Sequence, residues 1–352
     1  MSGMTPELDR LRTDDAAWDA FVAASDTAFP LQLTAWANGK APYGWTAGRV
    51  VADGGSGPIG AQVLVRSLGP GPFALGYAPR GPVATVFDAA SLDAFTAALR
   101  SFARSRRLTH VTADPGLEGS THDALFEAAG WQRTEPMQLA STQLIDLSKS
   151  EEELWHDVYK SSRRYANGAR KKGCRVEELG EEGLSPFYDI LVETAGRSGF
   201  IPRSLQAYTD VYRAFATRGA ARILIGYLPD GTAVSSKMIL TSGPRASQLY
   251  GGLTDEGGAA RSGHFFEWEA IIRSKAAGAG IFDMWGRSTK GIAHFKQGFG
   301  GRTVDYGGTF DLVTNAPVRA LYRGGRRLWI GYARRRHGLD PDTPVTAGPA
   351  GD

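Results

Sequence analysis

A chain of 352 residues, 42% hydrophobic and 22% charged, has the composition of a soluble globular protein and more length than one ordinary core needs, so two domains are expected. A net charge of +3 is too small for a whole-molecule field to select partners, and the single cysteine, Cys174, excludes an internal disulfide framework and a cysteine zinc site. The opening segment MSGMTPELDRLRTDDAAWDAF lacks the apolar core of a signal peptide, and no run approaches the roughly 18 apolar residues of a spanning helix, so a cytoplasmic protein is expected.

In chain order, Asp14-Asp15 cap a helix on which Trp18, Phe21 and Val22 share a face. A second short helix opens after Phe29-Pro30 and carries Trp36 and Lys40 four residues apart. Strands are predicted at Thr46–Ala52, Ile59–Ser67 and Phe73–Tyr77, then a helix at Ser91–Ser105 and a strand at Leu108–Ala113 closed by Asp114-Pro115. A short helix over Leu125–Gln132 and a strand over Thr142–Leu147 lead to a domain boundary near Ser148–Glu151. The helix that starts at Glu151 runs into a basic stretch, with seven Lys/Arg and no acid from Val158 to Val176. Helices at Phe187–Arg197 and Tyr208–Arg218 precede strands at Arg222–Leu228, Ala233–Thr241 and Ala246–Gly251. A helix at His264–Ala277 then leads to a buried strand, Ile281–Trp285. Beyond a Gly-broken loop, His294–Gly301 sets Lys296 between Phe295 and Phe299 in a Gly-dense segment. The tail from Val318 to His337 holds seven Arg and no acid among aromatic and aliphatic residues, the pattern of a helix that contacts a membrane surface or nucleic acid.

The two halves repeat one plan. Gly57–Asp114 and Gly231–Asp283 each read strand, turn, strand, loop, helix, strand, and Gly60 and Ala233 each stand 17 residues before a tyrosine, Tyr77 and Tyr250. The expected fold class is therefore α/β (α+β): two domains related by internal duplication, with mixed sheets flanked by helices and a cleft between them. Domain 1 is assigned to 1–149, with 315–340 packing back on it, domain 2 to 150–314, and 341–352 to a disordered tail.

Several chemistries are excluded by motif. Arg66-Ser-Leu-Gly-Pro-Gly71 has the spacing of an acetyl-CoA pyrophosphate loop, but Pro70 and Pro72 remove amides and a strand follows where a helix is required. There is no Walker loop, dinucleotide fingerprint or G-x-S-x-G elbow, and the six histidines show no metal-ligand spacing. The chemistry expected needs no metal, no bound cofactor and no covalent nucleophile. What remains is a set of cations and aromatics suited to phosphates: Lys40, Arg80, Arg163-Arg164-Tyr165, Arg197 and Lys296.

These residues carry a resemblance. Trp36 to Lys40, Tyr77-Ala-Pro-Arg-Gly-Pro-Val83, Ala113-Asp-Pro115, Arg164-Tyr165 with Lys171-Lys-Gly173, Glu193 to Phe200, Tyr250-Gly-Gly252, Asp283-Met-Trp-Gly286 and Phe295-Lys-Gln-Gly-Phe-Gly-Gly301 fall in the order seen in the FemABX family. These are non-ribosomal peptidyltransferases that use aminoacyl-tRNA to build peptidoglycan interpeptide bridges. The match spans about residues 25–315, and the chain resembles the compact members without a helical-hairpin insertion in domain 2. The segment Ala166-Asn167-Gly168 departs from relatives whose helix continues more apolar.

The resemblance implies GNAT-like acyltransferase domains and transfer of an amino acid, glycine or alanine, to the side-chain amine of a stem peptide in lipid II or UDP-MurNAc-pentapeptide. It puts the catalytic lysine at Lys296, a cation that stabilises a tetrahedral oxyanion in an aromatic-walled channel. The Phe295 carbonyl would orient the attacking amine, and Asp114, at a strand end, is a candidate base. Lys40 and Arg197 would hold the acceptor's diphosphate, with Trp36, Tyr77, Arg80, Thr194, Tyr250 and Trp285 along its path. Arg163, Arg164, Arg170, Lys171 and Lys172 would face the tRNA acceptor stem, and the arginine tail the inner face of the membrane. Two other functions stay open at this stage: a tRNA-dependent ligase acting on a peptide natural product, and a non-catalytic nucleic-acid-binding protein on the same scaffold.

Overall fold

The computed structural model describes residues 5–198 and 200–337. The disordered tail expected at 341–352 lies outside the described residues. Helices α1 (Pro6–Thr13) and α2 (Asp15–Ala24) meet at Asp14, whose carboxylate accepts from the Ala16 and Ala17 amides. After α3 (Thr34–Lys40) come antiparallel strands β1 (Thr46–Asp53), β2 (Pro58–Ser67) and β3 (Ala74–Arg80), with the two-residue β4 (Val83–Ala84) paired to β2. Helix α4 (Ala89–Ser105) starts at Asp88, which accepts from the Ser91 amide, and buries Leu92, Phe95, Leu99 and Ala103 along one face. It crosses over to β5 (Leu108–Pro115), which lies parallel to β3 and is buried throughout.

Next come α5 (Asp123–Ala128), β6 (Gln132–Thr134), β7 (Ser141–Asp146), α6 (Glu151–Asp157), α7 (Lys160–Lys172), β8 (Arg175–Leu179), α8 (Leu184–Ser198) and α9 (Leu205–Ala216). Strands β9 (Ala221–Tyr227), β10 (Ala233–Ser242) and β11 (Arg245–Leu253) form a second antiparallel set. Through α10 (Asp255–Ala259) and α11 (Gly263–Ala276) the chain crosses to β12 (Ile281–Asp283), parallel to β11. The last elements are α12 (Lys290–Gln297), β13 (Arg302–Asp305), β14 (Thr309–Val313) and α13 (Ala316–His337).

The first sheet has the order β1-β2-β3-β5-β14-β6 and the second β13-β7-β12-β11-β10-β9-β8. The predicted duplication is visible in them: β1-β2-β3-α4-β5 and β9-β10-β11-α11-β12 are the same meander, crossover helix and parallel return strand. Each sheet buries its own core, one around Phe95, Val111 and Phe310 and the other around Trp268, Ile271, Phe282 and Phe299.

The compact units differ from the predicted boundaries. One takes the described residues of Met1–Ser141 with Val304–Gly324; the other takes Thr142–Thr303 and the residues from Gly325. The reason is an exchange of strands: β7 pairs with β12 in the second sheet, and β14 pairs with β5 in the first. The helix expected to run from Glu151 through the basic stretch breaks at Val158, which is extended (φ −66°, ψ 133°). Lys296, expected only in a Gly-dense segment beyond a loop, sits on α12, and the strand at Ile281 ends at Asp283, two residues early.

The chain after α12 turns on Gly300 and Gly301, both at positive φ, and a Cβ on Gly301 would lie 2.1 Å from the Leu144 carbonyl oxygen. Gly301→Ala is therefore expected to destabilise the protein by about 2–4 kcal/mol in urea unfolding; an unchanged midpoint would refute this account of the turn.

Candidate active site

Lys296 lies in the last turn of α12, a helix capped by the Thr289 hydroxyl. Its Nζ donates to three successive backbone carbonyls, those of Met284 (2.6 Å), Trp285 (2.7 Å) and Gly286 (2.6 Å). Three carbonyls can converge on one point because the turn after β12 is bent, with Trp285 at φ 57°. Asp283 fixes the bend from below: one carboxylate oxygen accepts from the Trp285 amide (2.9 Å) and the Thr142 hydroxyl (2.6 Å), the other from Arg245 (2.8 Å). Burial lowers the Lys296 pKa to about 8, with Glu267 and Asp283 opposing the shift and Lys237 and Arg287 adding to it. Carbonyl dipoles favour the ammonium, so it is charged at neutral pH, with all three N–H groups engaged. An anion brought against it would meet its charge, and a hydrogen bond only where a carbonyl lets go.

Aromatic rings wall this site. Phe295 and Phe299 meet at 5.3 Å, and His264 of α11 lies 4.9 Å from Phe295. The Phe295 carbonyl accepts from the Gly298 amide at 3.1 Å, which leaves one lone pair for an incoming amine. One turn beyond His264, Glu267 is buried and ion-paired with buried Lys237 of β10, a pair the sequence reading missed because 30 residues separate its members.

Elsewhere in the same unit, the predicted acceptor residues are tied into the fold. The Thr194 hydroxyl donates to Ile190 and Leu253 carbonyls and accepts from the Leu253 amide, pinning α8 to β11. Arg197 pairs with Asp255 and donates to the Leu253 carbonyl at 2.8 Å, yet stays exposed. Tyr250 packs edge-on against Tyr208 at 5.0 Å, and burial raises its pKa.

The other unit holds Trp36, Lys40, Tyr77, Arg80 and Asp114. Asp114 is 3% exposed and accepts from Tyr77 (2.6 Å), Thr309 (2.6 Å) and the amides of Met137 and Gln138 (3.1 and 3.4 Å). A carboxylate so surrounded orders its neighbours; three of the four donors are on Oδ1, and Oδ2 accepts from Tyr77 alone. Burial, then the Asp114 charge, holds the Tyr77 hydroxyl well above its ordinary pKa. Arg80 (φ 58°) lies over Tyr306 at 4.1 Å and Phe29 at 5.2 Å and donates to the Leu139 carbonyl at 2.7 Å. The Asp–Thr bond is duplicated: Thr309 to Asp114 beside β5 and Thr142 to Asp283 beside β12, both 2.6 Å.

Lys40 differs from these engaged cations. It is 4% exposed, its Nζ has no hydrogen-bond acceptor among the described residues, and it lies 4.9 Å from the Trp36 ring. A buried ammonium compensated only by a π face is costly unless an anion joins it.

On α7, Arg163 donates to the Trp155 and His156 carbonyls and so closes the end of α6, and Arg170 pairs with Glu269. Arg164, Lys171 and Lys172 remain exposed. The expected packing of the arginine helix on the first unit is made by its first two turns: Arg319 to Asp311, Tyr322 against His110 at 5.6 Å, and Arg323 to Glu135 at 3.9 Å. Among the described residues no helix is long and apolar enough to cross a membrane.

Replacing the unpaired charge should separate stability from binding. Lys40→Met is expected to stabilise the fold by about 1 kcal/mol or more in urea unfolding while weakening binding of a diphosphate-containing acceptor at least tenfold. Loss of stability, or unchanged acceptor affinity, would show that Lys40 is a packing residue.

Known proteins share this architecture. The chain aligns with the lipid II:glycine glycyltransferase of Staphylococcus haemolyticus at 22% identity, covering 89% of this chain and 95% of that protein. That alignment runs over 398 residues, more than this chain contains, so the relative holds residues within the matched span that this chain lacks. The Staphylococcus aureus lipid II:glycine glycyltransferase matches at 27% identity over 62% of this chain and 55% of its own. Among solved structures, the crystal structure of FemX superposes with a TM-score of 0.78 at 20% identity, over 87% of this chain and 98% of that one. A tandem GNAT protein from the clavulanic acid biosynthesis pathway superposes with a TM-score of 0.50 at 16% identity, over 78% of this chain and 86% of its own. These likenesses bear out the expected α/β fold of GNAT type. The model of the FemAB family matches residues 13–130 and 124–230, more than half of the sequence, and the chain belongs to that family.

Proposed function

We propose that the protein is an aminoacyltransferase that moves an amino acid from aminoacyl-tRNA to the side-chain amine of a peptidoglycan precursor's stem peptide. The relatives named for glycyl transfer to lipid II support glycine as the residue carried and a lipid-linked acceptor, with UDP-MurNAc-pentapeptide as the soluble alternative. The observation that carries the reading is the Lys296 ammonium, held charged on a helix with aromatic walls and, among the described residues, no carboxylate within hydrogen-bonding reach.

In this reaction the acceptor amine attacks the ester carbonyl and forms a C–N bond, and the carbonyl electrons move to oxygen. Lys296 stabilises that oxyanion by charge in a site of low dielectric. Collapse breaks the C–O bond, the terminal ribose oxygen leaves, and the proton lost by the amine ends on it. The free lone pair of the Phe295 carbonyl orients the amine. Asp114, with four donors of its own, holds Tyr77 in place in preference to taking a proton. In the first unit the Lys40 ammonium is the cation left to meet a phosphate, and in the second Arg197 would meet one by exchanging Asp255 for it. Trp36 and Arg80 in the first unit, and Tyr250 and Trp285 in the second, hold their own surroundings through ring packing and backbone bends.

The arginine helix fits a lipid-linked acceptor. Leu321, Leu328 and Tyr332 recur at i, i+7 and i+11 on one face and are 77%, 79% and 61% exposed, in a helix with no acidic residue. An exposed apolar stripe among arginines suits the headgroup region of an anionic bilayer. Leu321→Glu/Leu328→Glu is expected to abolish cosedimentation with vesicles containing phosphatidylglycerol, and persistence of binding would refute this contact.

Transfer of labelled glycine, alanine or serine from tRNA to lipid II or UDP-MurNAc-pentapeptide tests the reaction itself. Because Lys296 is charged below about pH 8 and loses its proton above it, the chemical step should decline as pH rises through about 8. Lys296→Met should reduce single-turnover rate at least a hundredfold and remove that decline from the residual rate, with tRNA binding retained. Full activity in Lys296→Met would overturn the catalytic assignment, and absence of transfer with every pair would turn attention to a natural-product acceptor.

A further inference from the structure

Tyr165 of α7 is met by two arginines from different elements. The guanidinium of Arg164 lies 5.1 Å from its ring centroid and that of Arg261, in the turn between α10 and α11, 5.2 Å. Each also donates to the Tyr165 hydroxyl at 3.3 Å. The hydrogen bond from Arg164 and the charge of Arg261 hold that hydroxyl below its ordinary pKa.

Neither arginine meets a carboxylate among the described residues. Their neighbours do: Arg170 pairs with Glu269, Arg175 with Glu177 and Arg222 with Glu178. Arg261 also sits in the left-handed region at φ 54°, a conformation that side chains with a Cβ rarely adopt. Two exposed guanidinium groups that converge on one hydroxyl, with no carboxylate among the described residues, make a pair whose repulsion is relieved by a bound phosphate.

The position of this pair suggests which phosphate. From Tyr165 a row of rings leads inward, to His264 at 5.2 Å, then Phe295 at 4.9 Å, the residue before Lys296. Burial keeps His264 toward its neutral form, so no competing cation interrupts the row. A donor whose ester carbonyl sits at Lys296 has its nearest phosphodiesters one or two nucleotides away, in the unpaired 3′ end.

We propose that Arg164, Tyr165 and Arg261 form a subsite for a phosphodiester of the donor's single-stranded 3′ end, an inference that rests on the transfer reading above. The Tyr165 hydroxyl, which accepts from both guanidinium groups, holds the two at one point.

The test uses the full chain with two probes: an RNA minihelix ending in an unpaired CCA tail, and UDP-MurNAc-pentapeptide as the alternative phosphate source. Arg164→Gln/Arg261→Gln is expected to weaken minihelix binding about tenfold and to flatten the slope of log Kd against log salt by about one unit. Binding of the nucleotide-linked peptide should stay unchanged, and Arg261→Lys should recover most of the RNA affinity. Equal RNA affinity and slope in wild type and double variant would overturn the subsite and leave the transfer reading standing. Loss of affinity for the nucleotide-linked peptide instead would assign the arginines to the acceptor and overturn it as well. A wild-type protein that does not bind the minihelix would remove the transfer reading itself, and this inference with it.

Discussion

Lys296 sets one positive charge against the carbonyls of Met284, Trp285 and Gly286, and the surrounding elements are arranged to keep that contact. Burial works against the charge and the carbonyl dipoles work for it, so the ammonium is retained near neutrality with no carboxylate among the described residues hydrogen-bonded to it. The carbonyls converge only because Trp285 is bent to positive φ. That bend is fixed by Asp283, which Arg245 and Thr142 hold in turn. The position of that charge thus depends on a chain of polar contacts that runs from Arg245 and Thr142 through Asp283 to the Trp285 bend.

The repeat clarifies what each unit has kept. Both carry an aspartate at the end of the parallel return strand and a threonine on the exchanged strand beside it, joined at 2.6 Å. In one unit that aspartate receives Tyr77 and two amides; in the other it receives an arginine and the amide that shapes the lysine cradle. A common scaffold bond has been given two surroundings, one quiet and one strained.

Much of this was legible in residue pattern. The alternating strands, the crossover helices and the matched tyrosines follow from local periodicity and turn chemistry, so the meanders and their duplication could be read directly. Lys296 stood out because Phe and Gly surrounded it. The helix under it did not, since Lys290–Gln297 is short and flanked by glycines, which weakens any helical signal. Local pattern also cannot report partners distant in sequence. Tyr165 and Arg261 are 96 residues apart, and Thr112 and Asp311 are 199 apart. For the same reason Arg163 and Thr194 read as ligand-facing when their polar groups close helices and pin strands, and the isolation of Lys40 was invisible until its surroundings were known.

The exchanged strands have a consequence for how the protein is made. As the chain emerges during synthesis, β5 has its inner neighbour β3 but not β14, which is translated only after the whole of the second meander. Until Phe310 arrives to stack on Phe126 at 4.8 Å, a long apolar strand edge stays open. The first sheet therefore cannot finish before the whole of the second meander has been translated, and until then its open edge is available to the edge-to-edge pairing that starts aggregation.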